Sequence, residues 1–346
     1  MAAFVPASDQ TTRVVSICIA NYNGMEVIDD CIHSILDQQG EIPVEILIHD
    51  DASTDDSVAH IKAHYPMARL IESPDNVGFC IANNRMAAQA QGKYLLLLNN
   101  DAALFPDALQ TLFDEAERLD QAAILSVPQY DAQTGELIDI GCLLDPFFNP
   151  VPNRNPQRRD VGMVIGACLW IAKAQWEELG GFPEWFGSIG EDLYLCCRAR
   201  LAGYPVQALG VSGYRHRVGT SFGGGKTIGG QLATTFRRRA LSERNKTFVM
   251  ATTCPAPVAV VLLPLHLTLL LLEGSLLSLF KLDGRYLGRI YLSVFGALFW
   301  HRNELLVARA STQASRLLTS TDFFTVFDRC PYKLRMLLRH GLPTLR

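Results

Sequence analysis

Four acidic or polar clusters in this sequence have residue types suited to chemistry. The clusters are Asp50-Asp51, Asn99-Asn100-Asp101, Glu191-Asp192 and His216. Oxygen ligands at the end of a buried strand suit Mg²⁺ or Mn²⁺, which keep waters and bind diphosphates. An Asp at such a position can also accept the imide N–H of a uracil or thymine, and a separate carboxylate can deprotonate an incoming hydroxyl. Each cluster alone is commonly a turn or a helix cap, so only their joint placement predicts a function.

Alternating strands and helices are predicted to position these clusters. Short apolar runs predict strands, helical spacing predicts helices between them, and the alternation predicts a parallel α/β sheet. In such a sheet ligands bind at the carboxyl ends of the strands, where the polar clusters lie. The predicted strands are 13–20, 44–48, 68–72 and 94–98, with further strands and loops in 124–172, and the predicted helices are 28–36, 80–91, Lys173–Leu179 and Glu191–Leu201.

Two phosphate-binding patterns are incomplete. Residues 223–227 read GGGKT, but a Walker loop needs Gly five residues before the Gly of the Gly-Lys pair, and that residue is Thr220. We therefore expect a glycine-rich loop that closes over a ligand rather than a site of nucleotide triphosphate hydrolysis. The first predicted strand is followed by Asn21-Tyr22-Asn23-Gly24, which argues against a dinucleotide-binding fold with NAD or FAD.

Five motifs in order carry a resemblance to a known family. They read SICIANYNG, EILIHDDASTDDS, NVGFCIANNRMAAQAQGKYLLLLNND, GACLWIAKAQWEELGGFPE and GEDLYLCCRARLAGY. In sequence and spacing they resemble glycosyltransferase family 2 with the GT-A fold, whose sheet is Rossmann-like, mixed and flanked by helices. The resemblance spans about residues 13–250 and is nearest to the bacterial rhamnosyltransferase-like group that builds surface polysaccharides.

The resemblance implies a nucleotide-sugar donor, a divalent cation (Mg²⁺ or Mn²⁺) and inversion at the anomeric carbon. It also implies a role for each matching residue, with Arg244 as a basic residue near the domain end. The implied roles are nucleotide binding by Asn21, Asn23, Asp50 (the base), Asn76, Gly78 and Asn83; metal binding by Asp101, Asn99 and His216; and catalysis by Glu191 and Asp192, with Asp192 as the general base.

Asp192 opens a predicted helix, where amide N–H groups and the helix dipole favour an anion. We therefore expect an ionised carboxylate at neutral pH, although the pair Glu191-Asp192 can also be read as a simple helix cap. The metal motif Asn-Asn-Asp offers one neutral ligand. The acceptor cannot be inferred from the family, because four positions near the expected acceptor site depart from its pattern: Pro183, Ser188, Ile189 and Tyr194.

The composition divides the chain into an acidic part and a basic tail. Of its 346 residues 49% are hydrophobic and 19% charged, and the net charge of −4 argues against a nucleic-acid binder. Residues 281–346 hold 11 Lys and Arg against 4 Asp and Glu. Nine scattered Cys predict buried thiols in a reducing compartment, and the N-terminus does not resemble a secretory signal.

Residues 247–272 contain no Asp, Glu, Lys or Arg, but Pro255, Pro257 and Pro264 interrupt the run. A second apolar segment, 290–300, is too short to span a membrane. With the basic residues that follow, this pattern predicts a helical tail, 251–346, that lies on the cytoplasmic membrane face behind a catalytic domain, 1–250. Two alternatives are true membrane spans and a helical subdomain that forms a homodimer.

The predicted reaction moves a sugar from a UDP- or dTDP-sugar, with rhamnose as one candidate, to a hydroxyl of a lipid-linked glycan in cell-surface polysaccharide synthesis. A second enzyme hypothesis is a polyprenyl-phosphate sugar synthase, whose phosphate acceptor needs less of a base. A third is an inactive membrane scaffold, against which the intact Asp50, Asp101 and Asp192 argue.

Overall fold

The computed structural model describes residues 14–217, 224–228, 231–342 and 344–345. It divides into two compact units. Unit 1 holds the chain up to Cys142, Pro152–Cys196 and Tyr204–Arg217, and unit 2 holds Leu143–Val151, Cys197–Gly203 and the chain after residue 217. The structural units therefore differ from the predicted division at residue 250.

Strands and helices mostly alternate over residues 15–118, whereas residues 124–172 form strands joined by loops, and both patterns agree with the predictions. The helices up to His216 are α1 (Ile28–Leu36), α2 (Ser57–His64), α3 (Phe79–Gln89), α4 (Ala108–Arg118), α5 (Lys173–Leu179) and α6 (Glu191–Leu201). The strands are β1 (Val15–Asn21), β2 (Val44–Asp50), β3 (Arg69–Glu72), β4 (Tyr94–Asn99), β5 (Ala102–Leu104), β6 (Ile124–Ser126), β7 (Gln129–Asp131), β8 (Leu137–Asp139), β9 (Cys142–Leu144), β10 (Pro150–Pro152), β11 (Cys168–Ala172), β12 (Val206–Ala208) and β13 (Tyr214–His216).

Seven of these strands form the central sheet, in the order β12-β6-β11-β4-β1-β2-β3. The sheet is mixed, because β11 runs antiparallel to β4 and β6 while β1 is parallel to β2 and β4. The prediction of a mixed sheet flanked by helices is confirmed. A second sheet, β5-β13-β7-β8, brings β13 beside the residues that follow β4.

Apolar periodicity explains the packing of the sheet. Side chains of β1, β2 and β4 are almost wholly buried, and α1 covers one face with Ile28, Cys31, Ile32 and Ile35. Burying such a side chain contributes about 1.5–3 kcal/mol. Eight of the nine thiols are buried and all nine are free, as the scattered spacing predicted; only Cys330 is exposed. The sheet interior therefore fixes the strand ends that carry the polar clusters.

Unit 2 is mostly helical. A small sheet joins β14 (Gly224–Ile228), β15 (Gln231–Thr234) and β16 (Thr344–Leu345). The predicted glycine-rich loop, 223–227, falls partly outside the described residues, because the structure describes 224–227 but not 223. The helices are α7 (Phe236–Thr253), α8 (Ala256–Lys281), a π-helix (Tyr286–Leu292), α9 (Ser293–Trp300), α10 (Arg302–Ala314), α11 (Ser320–Phe323) and α12 (Tyr332–His340).

The apolar run 247–272 is interrupted at Pro255, between the end of α7 and the start of α8, as predicted, but Pro257 and Pro264 do not interrupt α8. Pro255 precedes the helix and Pro257 lies in its first turn, where no N–H needs an intrahelical partner, while Pro264 is accommodated inside. Among the described residues, α8 is the one helix that is long and apolar enough to cross a membrane, judged by length and composition alone. Its inner face packs on Ile290 and Tyr291. Its outer face exposes a row of apolar side chains, among them Val260, Leu276, Leu279 and Phe280.

A charge cluster lies in the interior of unit 2. Glu243 is 1% exposed and accepts ion pairs from Arg239, Lys246 and Lys333 at 2.6–3.0 Å. Lys333 of α12 also contacts Glu273 of α8 at 2.7 Å. The neighbouring cations hold the pKa of Glu243 well below its usual range even though burial opposes this, and burial lowers the pKa of Lys246 to about 8. The cluster ties α12 to α7 and α8.

Candidate functional site

Asn21 joins the carboxyl ends of three strands in unit 1. Its Nδ2 donates to Oδ1 of Asp50 at 2.9 Å, and its Oδ1 accepts from Nδ2 of Asn100 at 3.0 Å. The side chain is fully buried. Gly24 is required beside it, because a Cβ there would lie 2.1 Å from Oδ1 of Asn21. Asn21, a predicted nucleotide-binding residue, therefore links the ends of three strands by hydrogen bonds.

The carboxylate of Asp50 is 3% exposed and held on several sides. Besides Asn21, Oγ of Ser53 donates to its Oδ1 at 2.6 Å and the Ser53 N–H donates to its Oδ2 at 3.0 Å. These contacts leave one acceptor direction on Oδ2. The assignment of Asp50 to the pyrimidine base stays a prediction, and it depends on this remaining direction.

Asp51 has a role that the sequence did not predict. Its Oδ1 accepts from the Val77 N–H at 2.6 Å and its Oδ2 from the Gly78 N–H at 2.9 Å. Gly78 has a φ of +87°, a conformation that favours glycine. Asp51 therefore fixes the loop that carries Asn76 and Gly78 into α3. In the sequence, the adjacent pair Asp50-Asp51 was the one feature that pointed to a role for Asp51.

The other predicted nucleotide residues differ in how they are placed. Asn23, at a φ of 49°, accepts through Oδ1 from the Thr54 N–H at 2.7 Å, so it joins the loops after β1 and β2. Asn76 is exposed on the loop after β3. Asn83 is buried and donates to the Phe79 carbonyl at 2.9 Å inside α3. The structure therefore leaves Asn76 open to solvent and uses Asn83 within its own helix.

The predicted metal residues come together where the residues that follow β4 lie beside β13. Nε2 of His216 lies 3.2 Å from Oδ1 of Asp101 and 3.5 Å from Nδ2 of Asn99. Asp101 is 8% exposed. The antiparallel pairing of β13 with β5, in which His216 opposes Ala102, accounts for this meeting of residues more than 110 positions apart.

Gln129 contacts the ring nitrogen of His216 that does not face Asp101. Its Nε2 lies 3.1 Å from Nδ1 of His216, and its Oε1 accepts from the Tyr214 hydroxyl at 2.9 Å. With the amide assigned this way, Nδ1 is the acceptor and the ring proton lies on Nε2, directed at Asp101. Gln129 is 2% exposed, and nothing in the local sequence distinguished it from a core residue.

The catalytic pair opens α6. Oδ2 of Asp192 accepts from the Gly166 N–H at 3.1 Å and its Oδ1 from the Leu193 N–H at 2.7 Å. Burial raises the pKa of Asp192 while these two N–H groups oppose the rise. Burial, followed by the charge of Asp192, raises the pKa of Glu191 well above its usual range. The cost of desolvation therefore acts against the helix dipole at Asp192, and the expectation that this carboxylate is ionised at neutral pH stays a prediction.

The dipeptide Gly166-Ala167 connects the two halves of the site. While the Gly166 N–H donates to Asp192, the Ala167 carbonyl accepts from the Asn99 N–H at 3.1 Å. The loop before α6 is anchored separately, because the Asn84 side chain pairs with both backbone groups of Phe182 at 2.9 and 3.0 Å. Neither contact was predicted from the sequence. Arg244 lies in α7 of unit 2, outside this set.

Residues 16–174 match the family model of Glycosyl transferase family 2. The chain contains a glycosyltransferase family 2 domain. Over 194 residues it is 28% identical to N-acetylglucosaminyl-diphospho-decaprenol L-rhamnosyltransferase of Mycobacterium tuberculosis. This match covers 47% of this chain and 63% of that relative.

Two solved structures share the fold of the glycosyltransferase family 2 domain. GalNAc-T7 with UDP, GalNAc and Mn²⁺ gives a TM-score of 0.54 at 16% identity, over 70% of this chain and 48% of that one. TarS 1–349 of S. aureus with UDP gives a TM-score of 0.51 at 15% identity, over 87% of this chain and 88% of that one. The chain thus has an α/β GT-A-like fold.

The residues of the family 2 domain fit a divalent cation that also contacts a substrate. Oδ1 of Asn99 is buried without a hydrogen-bond partner beside Asp101 and His216. The described residues contain no group of three His, Cys, Asp or Glu side chains arranged for a metal. A cation here would be held by Asp101, Asn99 and His216, and it would need further oxygen ligands from water or diphosphate, as Mg²⁺ commonly does.

Proposed function

We propose that the protein is an inverting glycosyltransferase that moves a sugar from a nucleoside diphosphate sugar to a hydroxyl group of a lipid-linked glycan. One observation carries the proposal. In unit 1 a half-buried carboxylate, Asp192, is joined through Gly166-Ala167 to the Asn99-Asp101-His216 cluster. A base and an oxygen-rich cation site held on one framework are what a direct displacement at an anomeric carbon requires.

In this mechanism Asp192 accepts the proton of the acceptor hydroxyl as the new bond to the sugar forms. Asn21 and Asp51 hold the loops against which the nucleotide binds, and Asp50 accepts from the base. Asp101, Asn99 and His216 would hold a divalent cation, which would in turn bind the diphosphate. A divalent cation bound there would neutralise the charge that develops on the leaving diphosphate. Because Asp192 acts alone as the base in one displacement, the anomeric configuration inverts.

The donor class is supported by the solved structures of similar fold, which contain UDP in GalNAc-T7 and TarS and Mn²⁺ in GalNAc-T7. The acceptor class is supported by the name of the M. tuberculosis relative, which acts on a glycan carried by a diphospho-decaprenol. We propose a UDP- or dTDP-sugar as donor, with rhamnose as one candidate, and Mg²⁺ or Mn²⁺ as cofactor.

We propose that unit 2 associates with the cytoplasmic face of the membrane. The outer face of α8 exposes Val260 (75%), Leu279 (67%) and Phe280 (65%), which is unusual for a surface in water. Basic side chains recur after α8, and they would meet anionic headgroups. This location would give the enzyme access to a lipid-linked acceptor.

A donor screen tests the reaction. Full-length protein is heated with UDP, dTDP or GDP, with and without Mn²⁺, and hydrolysis of the matching sugars is then measured. A nucleotide at about 100 times its Kd stabilises the folded state by about 2.7 kcal/mol. We expect cation-dependent stabilisation by one pyrimidine diphosphate and its loss in Asp101→Ala. If no nucleoside diphosphate shifts the melting temperature, the proposed function is wrong.

Vesicle flotation tests the location. The double variant Val260→Glu/Phe280→Glu should release the protein from vesicles that contain phosphatidylglycerol. The matched control, Met67→Glu/Val211→Glu, changes two exposed apolar residues of unit 1 and should float like the wild type. Equal flotation of the α8 variant and the wild type would contradict membrane binding through this face.

A further inference from the structure

A groove in unit 2 is lined by residues that have no part in the proposed reaction. Helix α7, the π-helix and α9 line a volume of about 560 Å³. This size lies within the ~300–1,000 Å³ range of small-molecule sites. The side chains that matter for its chemistry are Arg244, Arg289, Ser293, Gly296, Trp300 and His301.

One part of the groove is cationic. Arg244 is half-buried, its guanidinium lies 5.7 Å from the centre of the Phe248 ring, and its Nε donates to Asn245 Oδ1 at 2.8 Å. These contacts fix its orientation. Arg289 and His301 add two further nitrogen-bearing groups. No Asp or Glu lines the groove within the described chain, although Glu304 approaches Nδ1 of His301 at 3.6 Å. Guanidinium groups bind phosphate oxygens strongly and with defined geometry.

The other part of the groove is apolar and open. Trp300 is 75% exposed, and Phe299 beside it is 63% exposed. A Cβ built on Gly296 would meet nothing within 4 Å, so the floor of the groove at this position is empty space. Exposed aromatic side chains of this kind are typical of the boundary between water and lipid.

The π-helix is a second sign that this region is specialised. Such helices are rare and often occur at functional sites. Here Tyr286, Ile290 and Tyr291 are buried against α8 and its neighbours, while Arg289 is exposed and reaches the groove. The unusual winding thus combines a buried apolar face with an outward cation.

We propose that this groove binds the diphosphate and the first isoprene units of a polyprenyl diphosphate. Arg244 and Arg289 contact the diphosphate, and the chain lies over Gly296 against Trp300. A ligand with two adjacent phosphates and an apolar chain matches both parts of the groove, whereas a free nucleotide would leave the apolar part unused. The inference rests on the proposed function, because it places the lipid end of the acceptor.

Binding of geranylgeranyl diphosphate to full-length protein in detergent tests the inference. The variant Arg244→Gln/Arg289→Gln should raise the Kd at least 10-fold. The matched control, Arg329→Gln/Arg339→Gln, removes the same charge from exposed positions of unit 2 and should leave the Kd within 2-fold. An equal Kd for the groove variant and the wild type would overturn the proposal.

A filled groove provides a test that does not depend on charge. Gly296→Leu should keep the melting temperature, because the new side chain meets open space and helix α9 gains a better helix former. It should also weaken lipid binding at least 10-fold. Dioleoyl phosphatidylglycerol is added as a competitor, and equal competition by this single-phosphate lipid would overturn the choice of a diphosphate.

Nucleotide binding separates the two proposals. UDP- and dTDP-dependent stabilisation is measured in the same groove variants, and we expect it to equal that of the wild type. If nucleotide binding persists while the lipid Kd is unchanged by the groove variants, the groove assignment is wrong and the proposed function stands. If the wild type binds the lipid but no nucleotide, the proposed function is wrong instead.

Discussion

Nε2 of Gln129 lies 3.1 Å from Nδ1 of His216, so the orientation of the Gln129 amide is linked to which ring nitrogen carries the proton. As assigned, the proton lies on Nε2 and points at Asp101. Binding of a cation through Nε2 would require the proton to move to Nδ1 and the Gln129 amide to turn its oxygen toward it, with the Tyr214 hydroxyl as the other partner. A buried Gln can make either pairing, since its amide has donors and acceptors.

Gln129→Leu should therefore weaken cation use. The variant leaves Nδ1 of His216 and the Tyr214 hydroxyl without their partner, and loss of a contact behind a metal-binding His commonly costs about 10–100-fold in affinity. We expect at least a 10-fold rise in the Mn²⁺ concentration that gives half-maximal sugar hydrolysis. Gln175→Leu is the control, because Gln175 is equally buried and its amide has no hydrogen-bond partner. The same response in both variants would contradict the role of Gln129.

Asn99→Asp should strengthen cation binding and weaken the cation-free fold. The new carboxylate would stand where a buried amide oxygen has no partner, beside Asp101. Two carboxylates bind a divalent cation more strongly than one, but without it they repel. We expect a roughly 10-fold lower half-saturating Mn²⁺ concentration and a melting temperature that falls in EDTA. An unchanged Mn²⁺ dependence would place the cation elsewhere.

Asp192→Asn and Glu191→Gln should differ in effect. General-base catalysis contributes about 10²–10⁴-fold, so Asp192→Asn should lose at least 100-fold in kcat. Burial, followed by the charge of Asp192, raises the pKa of Glu191 well above its usual range, which favours the protonated form, and Gln is similar in shape to that form. Glu191→Gln should therefore keep activity within about 10-fold. Substantial turnover by Asp192→Asn would favour a phosphate acceptor instead of a hydroxyl.

The pH profile tests the same pair. A base must be ionised, so activity should fall as pH drops through the pKa of Asp192. Because burial raises this pKa, the acidic limb of kcat should lie above the value of about 4 of an ordinary Asp. The exposed Glu184→Gln variant should show the wild-type profile. A profile that stays flat down to pH 4 would contradict Asp192 as the base.

Asp139→Asn should stabilise the protein in a pH-dependent way. Asp139 is 4% exposed, and burial raises its pKa to about 7. Between about pH 4 and 7 the unfolded chain loses this proton first, so the carboxyl destabilises the fold increasingly as pH rises. At pH 8 the variant should gain up to about 4 kcal/mol in the free energy of unfolding, and near pH 4 the difference should vanish. The exposed Asp114→Asn should show no such trend.

Glu243→Gln should destabilise unit 2. Removing this charge leaves the buried Lys246 and the half-buried Arg239 and Lys333 with too few anions. Breaking a buried ion pair from one side costs about 3–5 kcal/mol. The control, Glu304→Gln, changes a half-exposed acid and should shift the free energy of unfolding by less than about 0.5 kcal/mol. Similar losses in both variants, measured by urea denaturation, would contradict the role of the cluster.

Local patterns predicted the elements of the first half well. The bounds of α1, α5 and α6 agree with the apolar spacing and the glycines that end them, because those signals act within a few residues. The division at residue 250 stays a prediction, although residue 250 falls within α7. Charge composition changes there, but the helix hydrogen bonds continue.

The supporting contacts of the site could not be predicted in the same way. Gln129 meets His216 across 87 positions, and Asn84 meets Phe182 across 98. Such pairs are set by strand register and loop packing, and an isolated Gln or Asn carries no local signal for them. The residues that were predicted, such as Asp101, follow strands or open helices, where position itself is informative.

The shared Gly166-Ala167 peptide has a consequence for protein engineering. The Gly166 N–H holds Asp192 and the Ala167 C=O holds the Asn99 backbone. A change in the backbone dihedral angles of these two residues therefore moves both contacts together. Substitutions that enlarge the site for a bulkier sugar would disturb the base unless this turn is left in place. Libraries that alter donor choice should therefore keep residues 166–167 fixed and vary the loops that carry Asn76 and Phe182.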